Sequence, residues 1–165
     1  MSAALSALRE AVAEQLRQSG VNALAAMEPA RAARWRQAAA AVSLSRVECA
    51  QGGFEDYLGT RREEAGGERE VYGRQAEITL GIDIFAPRDA GAGACQEAAE
   101  RVMESLIRQG AAGLAALELQ AGEAEFLERD GLYRQKVTCR CMAWLLAQAG
   151  EGERFADFEV KGRMR

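Results

Sequence analysis

The sequence predicts an α+β fold, a mostly antiparallel sheet with two main helices packed on one face. Apolar residues recur at spacings of three and four in two segments, 2–20 and 90–109, and this period is typical of amphipathic helices. Apolar and polar residues alternate over 71–85, which predicts a long strand. In the last third, an Asp-Gly pair at 130–131 separates two further alternating runs and predicts a hairpin. Runs of strands interrupted by two helices are typical of the α+β class.

The first helix is predicted to turn one apolar stripe toward the sheet. Ser2 can cap its start, and Gly20 can end it just after the last helical turn. Beyond the helix, 21–27 has the composition of a short strand and 30–36 that of a helical turn, with Pro29 between them. The apolar stripe consists of Leu5, Leu8, Val12 and Leu16.

Residues 39–50 are predicted to form a strand with an irregularity in its middle. In a regular strand Val42 and Leu44 would point to one face, whereas Val47 would point to the other. Because successive side chains of a strand point to opposite faces, this change of phase predicts a β-bulge near Ser45–Arg46.

Residues 51–70 are predicted to form one long loop, because they contain five glycines, six acids and three arginines. A loop of this length inside a compact domain is usually functional or mobile. Phe54, Tyr57 and Leu58 are apolar residues within this polar stretch. Two interpretations stay open: these side chains cover the domain's own core, or they anchor an adjacent subunit and order only on contact with it.

The strand over 71–85 is predicted to lead directly into the second helix. Pro87 ends the strand, Asp89 is the expected N-cap of the helix, and Gly110 is the expected end. The predicted apolar face of this helix consists of Cys95, Ala98, Ala99, Val102, Leu106 and Ile107. Further strands are predicted at 117–121, 124–128, 132–148 and 155–163.

Length and composition favour a single domain that is not an enzyme. The chain has 165 residues, a common length for one domain, and we expect that domain to span 1–165. The net charge of −4 is too acidic for a protein whose main task is to hold nucleic-acid phosphates. The chain has no histidine, the commonest general base and metal ligand, and no P-loop, GxGxxG or GxSxG motif. We therefore expect no catalytic residues and no cofactor.

The four cysteines are predicted to be reduced and to act as small buried side chains. Cys139 and Cys141 lie two residues apart on a predicted strand, so both point to the same face. Zinc sites usually pair cysteines as CxxC and use a second pair, which this chain lacks. We expect neither a metal site nor a disulfide, and a reducing intracellular compartment follows.

The start of the chain and its hydropathy predict a protein that folds in the cytoplasm and has no membrane partner. Glu10 and Glu14 stand where a secretory signal would be apolar. No apolar run approaches the roughly 20 residues that cross a bilayer. Carboxylates cluster at 63–70 and 123–130, and these clusters are either solvated surface or complementary in charge to a partner.

Several stretches resemble the tail-terminator, or tail-completion, proteins of tailed bacteriophages, especially those in prophage tail-gene clusters of Gram-positive bacteria. They are GFEDYLG at 53–59, VYGRQAEITLGIDIFAPRDAGAGACQEAAERVMESL at 71–106, the Asp-Gly hairpin, and FADFEVKG at 155–162. The resemblance runs from about residue 5 to residue 162, which is nearly the whole chain, and it includes no catalytic signature.

The resemblance implies a tail-terminator-like α+β fold and a hexameric ring on the head-proximal end of a tail tube. The ring would stop tube growth and join the tail to the neck or head. The implied partners are other copies of this chain, the tail tube protein, and a sheath, neck or head-completion protein. The protein would be cytoplasmic during assembly and afterwards part of a virion or phage-like particle, with a contractile tail or without one.

The family supplies no functional residues to carry over, so the candidate interface comes from the loop 51–70 itself. The predicted subunit-interface residues are Phe54, Tyr57, Leu58, Arg61, Arg62, Glu63 and Glu64. The main alternative function is a head-completion or neck connector of similar architecture. Two more distant alternatives are a small-molecule-binding or hydrolytic enzyme that uses carboxylates, and a free-standing regulatory adaptor.

Overall fold

The computed structural model describes residues 3–26, 35–50, 57–62, 68–149 and 155–162. Within these ranges two helices pack on a mixed, mostly antiparallel sheet of eight strands, which confirms the predicted α+β class. The helices are α1 (Ala3–Gln18) and α2 (Gly91–Gln109), and a short 3-10 turn, Arg88–Ala90, precedes α2. The strands are β1 (Ala23–Leu24), β2 (Ala39–Ala50), β3 (Tyr57–Arg62), β4 (Glu68–Pro87), β5 (Ala116–Ala121), β6 (Glu125–Leu127), β7 (Leu132–Ala149) and β8 (Phe155–Lys161).

The two longest strands, β4 and β7, form the centre of the sheet. They run antiparallel, with 20 and 18 residues. On one side β4 pairs with β2, and the short β1 adds to β2 in parallel; the first residues of β4 pair with β3. On the other side β7 pairs with β6, β5 and β8 in succession. The sheet is thus the β4–β7 pair with shorter strands along both of its outer edges.

The predicted bulge in β2 is confirmed, and it keeps the strand's apolar side chains on the core. Leu44 lies opposite Leu80, whereas Arg46 lies opposite Thr79, so Ser45 is the additional residue. This shift returns Val47 to the face that packs against the core. A single bulge is therefore the reason for the change of phase in the sequence.

The main core lies between the two helices and one face of the sheet. Gln15 ties the helices together: its Nε2 donates to the carbonyl oxygen of Gly110 at 2.9 Å, and its Oε1 accepts from the backbone N–H of Ala112 at 2.8 Å. Gly110, which ends α2 as predicted, has a φ of 68° and leaves no room for a Cβ beside the Leu114 carbonyl. The largest fully buried side chains of this core include Val12, Leu16, Ile78, Leu80, Ile82, Ile84, Val102, Leu106 and Val137.

Three local predictions are wrong. Asp89 does not cap α2, because β4 continues to Pro87 and the next three residues form the 3-10 turn, which leaves Ala90 in the capping position. Ile107 does not belong to the buried face of α2, because the preceding Leu106 takes the inward position and Ile107 is 69% exposed. Cys49 is exposed and not buried as predicted, although it lies two residues after Val47, whose side chain packs against the core.

The structure also differs in part from the predictions for the loop at 51–70 and for the short elements after the first helix. Residues 51–70 were predicted to be one loop, yet they include β3 and the start of β4, because backbone pairing between the two strands outweighs their polar composition. In the described part of the stretch 21–27, residues 21–26, only Ala23 and Leu24 pair as a strand. Most of the predicted helical turn at 30–36 lies outside the described residues.

Candidate subunit interfaces

One end of β4 projects past both of its long neighbours. β4 pairs with β7 only from Gly73 onward and with β2 only from Gln75 onward, whereas Glu68 to Tyr72 pair with β3 alone. We call this two-stranded projection, residues 57–62 and 68–72, the arm. The strand predicted over 71–85 therefore begins three residues earlier than predicted, and β3 pairs with its first residues.

The arm is fixed to the rest of the molecule at Gly73. A Cβ at this position would lie 2.5 Å from the backbone oxygen of Leu145 and 3.0 Å from Cδ1 of Leu58, so a side chain would force the strands apart. Leu58 therefore packs over Gly73 and is half-buried within its own chain. Leu58 thus packs at the base of the arm within its own chain, and its assignment to an interface stays a prediction.

Tyr57 and Arg61 lie on the arm and face solvent. Tyr57 is 45% exposed and packs edge-on against Tyr72, with 5.5 Å between ring centroids. The Tyr72 hydroxyl donates to a carboxylate oxygen of Glu70 at 2.7 Å, which orients the pair. Arg61 is exposed. The structure thus brings an aromatic pair and a cation together on one projecting ribbon.

The other predicted interface residues are located only in part. Arg62 is the last residue of β3, and its side chain is not described. Phe54, Glu63 and Glu64 lie outside the described residues. The assignment of these residues to an interface stays a prediction.

The sheet face opposite the helices carries charged side chains that pair across strands. Arg140 of β7 lies between Glu77 of β4, at 3.2 Å, and Glu118 of β5, at 2.7 Å. Arg134 contacts Asp83 at 2.7 Å. Because such half-exposed pairs contribute little to stability, their main effect is to make this face polar and well solvated.

A groove between α2 and β5 is an apolar surface that sequence reasoning missed. Its two adjoining hollows, of about 710 and 570 Å³, meet at Ile107. Met103 lies on the helix side and Ala121 on the sheet side, and Leu117 lines the far end. Leu117 is 51% exposed, because a register shift in β5 displaces it from the core. The sequence does contain one sign of this exposed surface. Leu106 and Ile107 are adjacent in α2, and two adjacent residues of a helix do not both lie on its buried face.

The base of the groove contains a buried polar atom with no partner. Gln135 is 8% exposed, and its Nε2 donates to the Gly122 carbonyl oxygen at 2.8 Å. Its Oε1 also lies buried beside the groove but accepts no hydrogen bond from the described residues. A buried amide oxygen without a donor costs free energy.

The cysteines behave as buried structural side chains, except for Cys49. Cys139 and Cys141 point inward as predicted, and Cys141 donates to the Ile78 carbonyl at 3.4 Å. Its hydrogen bond with Cys139 and its burial raise the pKa of the Cys141 thiol, and burial raises the pKa of Cys95. Protonated, buried thiols are poor nucleophiles and poor metal ligands. In the described part of the chain, no group of three or more potential metal-ligating side chains comes together.

Replacement of both Cys139 and Cys141 by Val is expected to cost no more than about 1–3 kcal/mol of unfolding free energy, because only small apolar volumes change. Urea unfolding measures this cost. The exposed Cys49→Ser variant is the control and should unfold at nearly the wild-type midpoint. Loss of a stoichiometric metal from the double variant, measured by elemental analysis of the purified proteins, would contradict the structural role.

Over the described ranges, neither helix combines the length and the apolar character that a membrane crossing requires. Comparison of the chain with protein-family models gives no match, and a search of curated proteins also finds none. The tail-terminator resemblance therefore has no support beyond the sequence stretches that suggested it.

Proposed function

We propose that this protein is a structural subunit that caps a phage or phage-like tail tube as a hexameric ring. In this role it ends tube polymerisation and joins the tail to the neck or head. Its partners are other copies of the chain, the tail tube protein, and a sheath, neck or head-completion protein. It acts by fitting surfaces together and performs no chemical step.

The observation that carries this proposal is the arm. A ring subunit needs surfaces that reach a neighbour without disturbing its own core. The arm extends beyond the strands that flank it, yet Gly73 and Leu58 fix its base, so it is a positioned element rather than a free tail. Tyr57 and Arg61 supply the residue types that are enriched at protein interfaces.

The groove between α2 and β5 gives the subunit a second, different contact surface. It lies beyond β7, against β5, while the arm is formed by β3 and the first residues of β4. Two unlike surfaces on one molecule are the requirement for head-to-tail contacts, and such contacts close into a ring when the rotation between subunits permits.

Inactivation of the gene in the strain that produces the particles tests the proposal. We expect tail tubes longer than normal and broadly distributed in length, because nothing stops their growth. Negative-stain electron microscopy measures the lengths, and expression of the wild-type chain in the same strain should restore them.

The same experiment separates the alternative function. Tails of normal length beside unattached heads would favour the neck-connector role and contradict tube capping. Particles of unchanged length and attachment would contradict both roles. A particle reconstruction that shows this chain with three-fold or twelve-fold symmetry would contradict the hexamer alone.

A further inference from the structure

We propose that the groove between α2 and β5 receives the arm of a second copy of this chain, so that β3 of one copy adds to the open edge of β5 in the next. This inference rests on the proposed function, since it names the two surfaces that join neighbouring ring subunits.

The edge of β5 has backbone groups available for another strand. β5 pairs with β7 on one side, and no described strand pairs with its other side. The N–H of Gly122 donates to the Lys136 carbonyl at 2.8 Å. Because hydrogen-bonded positions alternate in an antiparallel pair, the backbone groups of Leu119 and Ala121 point to the open edge. An unpaired edge of this kind is a template for an added strand.

The arm has a matching open edge. β3 pairs with β4 on one side, and its other side has no strand partner among the described residues. Its six residues equal the six of β5 in number, so the two strands can pair over their whole length. The contact would also cover Ile107 and Leu117, the two most exposed large apolar side chains of the described chain, at 69% and 51%.

Charge is complementary between the two surfaces. Over residues 57–62 and 68–72 the arm carries three arginines and two glutamates, a net charge of +1, and both charged residues of β3 itself are arginines. On the helix side the groove is lined by two acids and one arginine, Glu100, Glu104 and Arg108, which gives a net charge of −1. Complementary charge of this kind fixes orientation and suppresses wrong partners.

The geometry makes the contact head-to-tail. The arm is formed by β3 and the first residues of β4, and the groove lies beyond β7, against β5. Each copy that gives its arm to one neighbour therefore keeps its groove open for another, and a series of such contacts continues the sheet from subunit to subunit.

Cross-linking between engineered thiols tests the contact. In a Cys49→Ser background, which removes the exposed native thiol, one protein carries Thr60→Cys on the arm and a second, of different mass, carries Ala121→Cys on β5. Both positions are exposed. The two proteins are mixed and treated with a short bismaleimide, both as concentrated purified protein and on tails isolated from the producing strain. The control replaces Ala121→Cys by Glu10→Cys on the exposed side of α1.

We expect about tenfold more cross-linked heterodimer with Ala121→Cys than with the control, because docking holds the two thiols at high effective concentration. A heterodimer yield no higher than that of the control, in purified protein and on tails alike, would overturn the inference. Cross-linking of Ala121→Cys to a tube subunit alone would also overturn it, since the groove would then hold the tube.

Charge reversal gives a second test of the same contact, measured by the yield of cross-linked heterodimer. Arg61→Glu and Glu100→Arg should each reduce the heterodimer yield severalfold, and the two changes placed on opposite partners should restore it. Arg129→Glu in the β6–β7 turn is the matched control and should leave the yield unchanged. Absence of rescue together with an effect of Arg129→Glu would contradict the arm–groove pairing.

These results are distinguishable from failure of the proposed function. Rings that cap tubes but show no arm–groove cross-link would leave the function standing and remove the inference. A cross-linked closed dimer, in which each copy fills the other's groove, would keep the arm–groove contact and contradict the ring.

Discussion

The Leu80→Ala variant is expected to lose about 3–5 kcal/mol of unfolding free energy, a large part of the roughly 5–15 kcal/mol that holds a domain together. Leu80 is fully buried in the middle of β4, between Leu44 of β2 and Cys139 of β7. Removal of three carbon atoms there leaves a cavity that two flanking strands and two helices cannot close. Urea unfolding should show a lower midpoint with an unchanged slope.

The chain provides a matched control for this substitution in Leu117→Ala. Leu117 is the same residue type in a strand of the same sheet, but it is 51% exposed at the edge. Its replacement should change the unfolding free energy by no more than about 0.5 kcal/mol. Equal costs for the two variants would contradict the placement of the core between the helices and the β4–β7 pair.

Removal of the arm is expected to abolish tube capping while the rest of the protein still folds. Ala50 and Gln75 lie opposite each other in the β2–β4 pair, so an Asn-Gly turn can join them directly and replace residues 51–74. The shortened chain loses the packing of Leu58 near Leu146, which we expect to cost about 1–2 kcal/mol. Thermal unfolding measures that cost, and tail length in a strain that carries only the shortened chain measures capping.

Leu58→Ala in the full-length chain separates the two effects of this deletion. It removes the same packing at the base of the arm but keeps the arm, so it should lose similar stability and still cap tubes. If the shortened chain fails to fold, the arm belongs to the core, and its assignment to an interface is wrong. If the shortened chain folds and caps tubes normally, the arm has no part in assembly.

Hydrophobic periodicity in the sequence was sufficient to predict both helices and most of the sheet. The ends of the helices followed from Gly20 and Gly110, and the hairpin before β7 from Asp130-Gly131, because each signal depends only on local backbone preferences. The β2 bulge was predictable for a similar reason: parity along a strand is a local property, and its reversal requires one extra residue.

The arm illustrates what periodicity could not predict. Residues 57–62 are rich in glycine and charge and show no alternation, so they resemble a loop. They form β3 because the long β4 offers them a row of backbone partners, and Gly73 lets Leu58 pack at the base. The sequence singled out Tyr57, Leu58 and Arg61, but only the pairing shows that the first and last face outward while Leu58 packs inward.

The sequence by itself determined the α+β class, the inward faces of the long strands, and the absence of histidine chemistry. Only the tertiary structure decided which edges of the sheet stay open and which apolar side chains remain uncovered. Ile107 and Leu117 have the residue types of a core, and each lies in an amphipathic element, yet both are exposed because Leu106 and Leu119 already take the inward positions. Whether an apolar side chain is buried depends on which elements pack over it, and that is set by contacts between segments far apart in the chain.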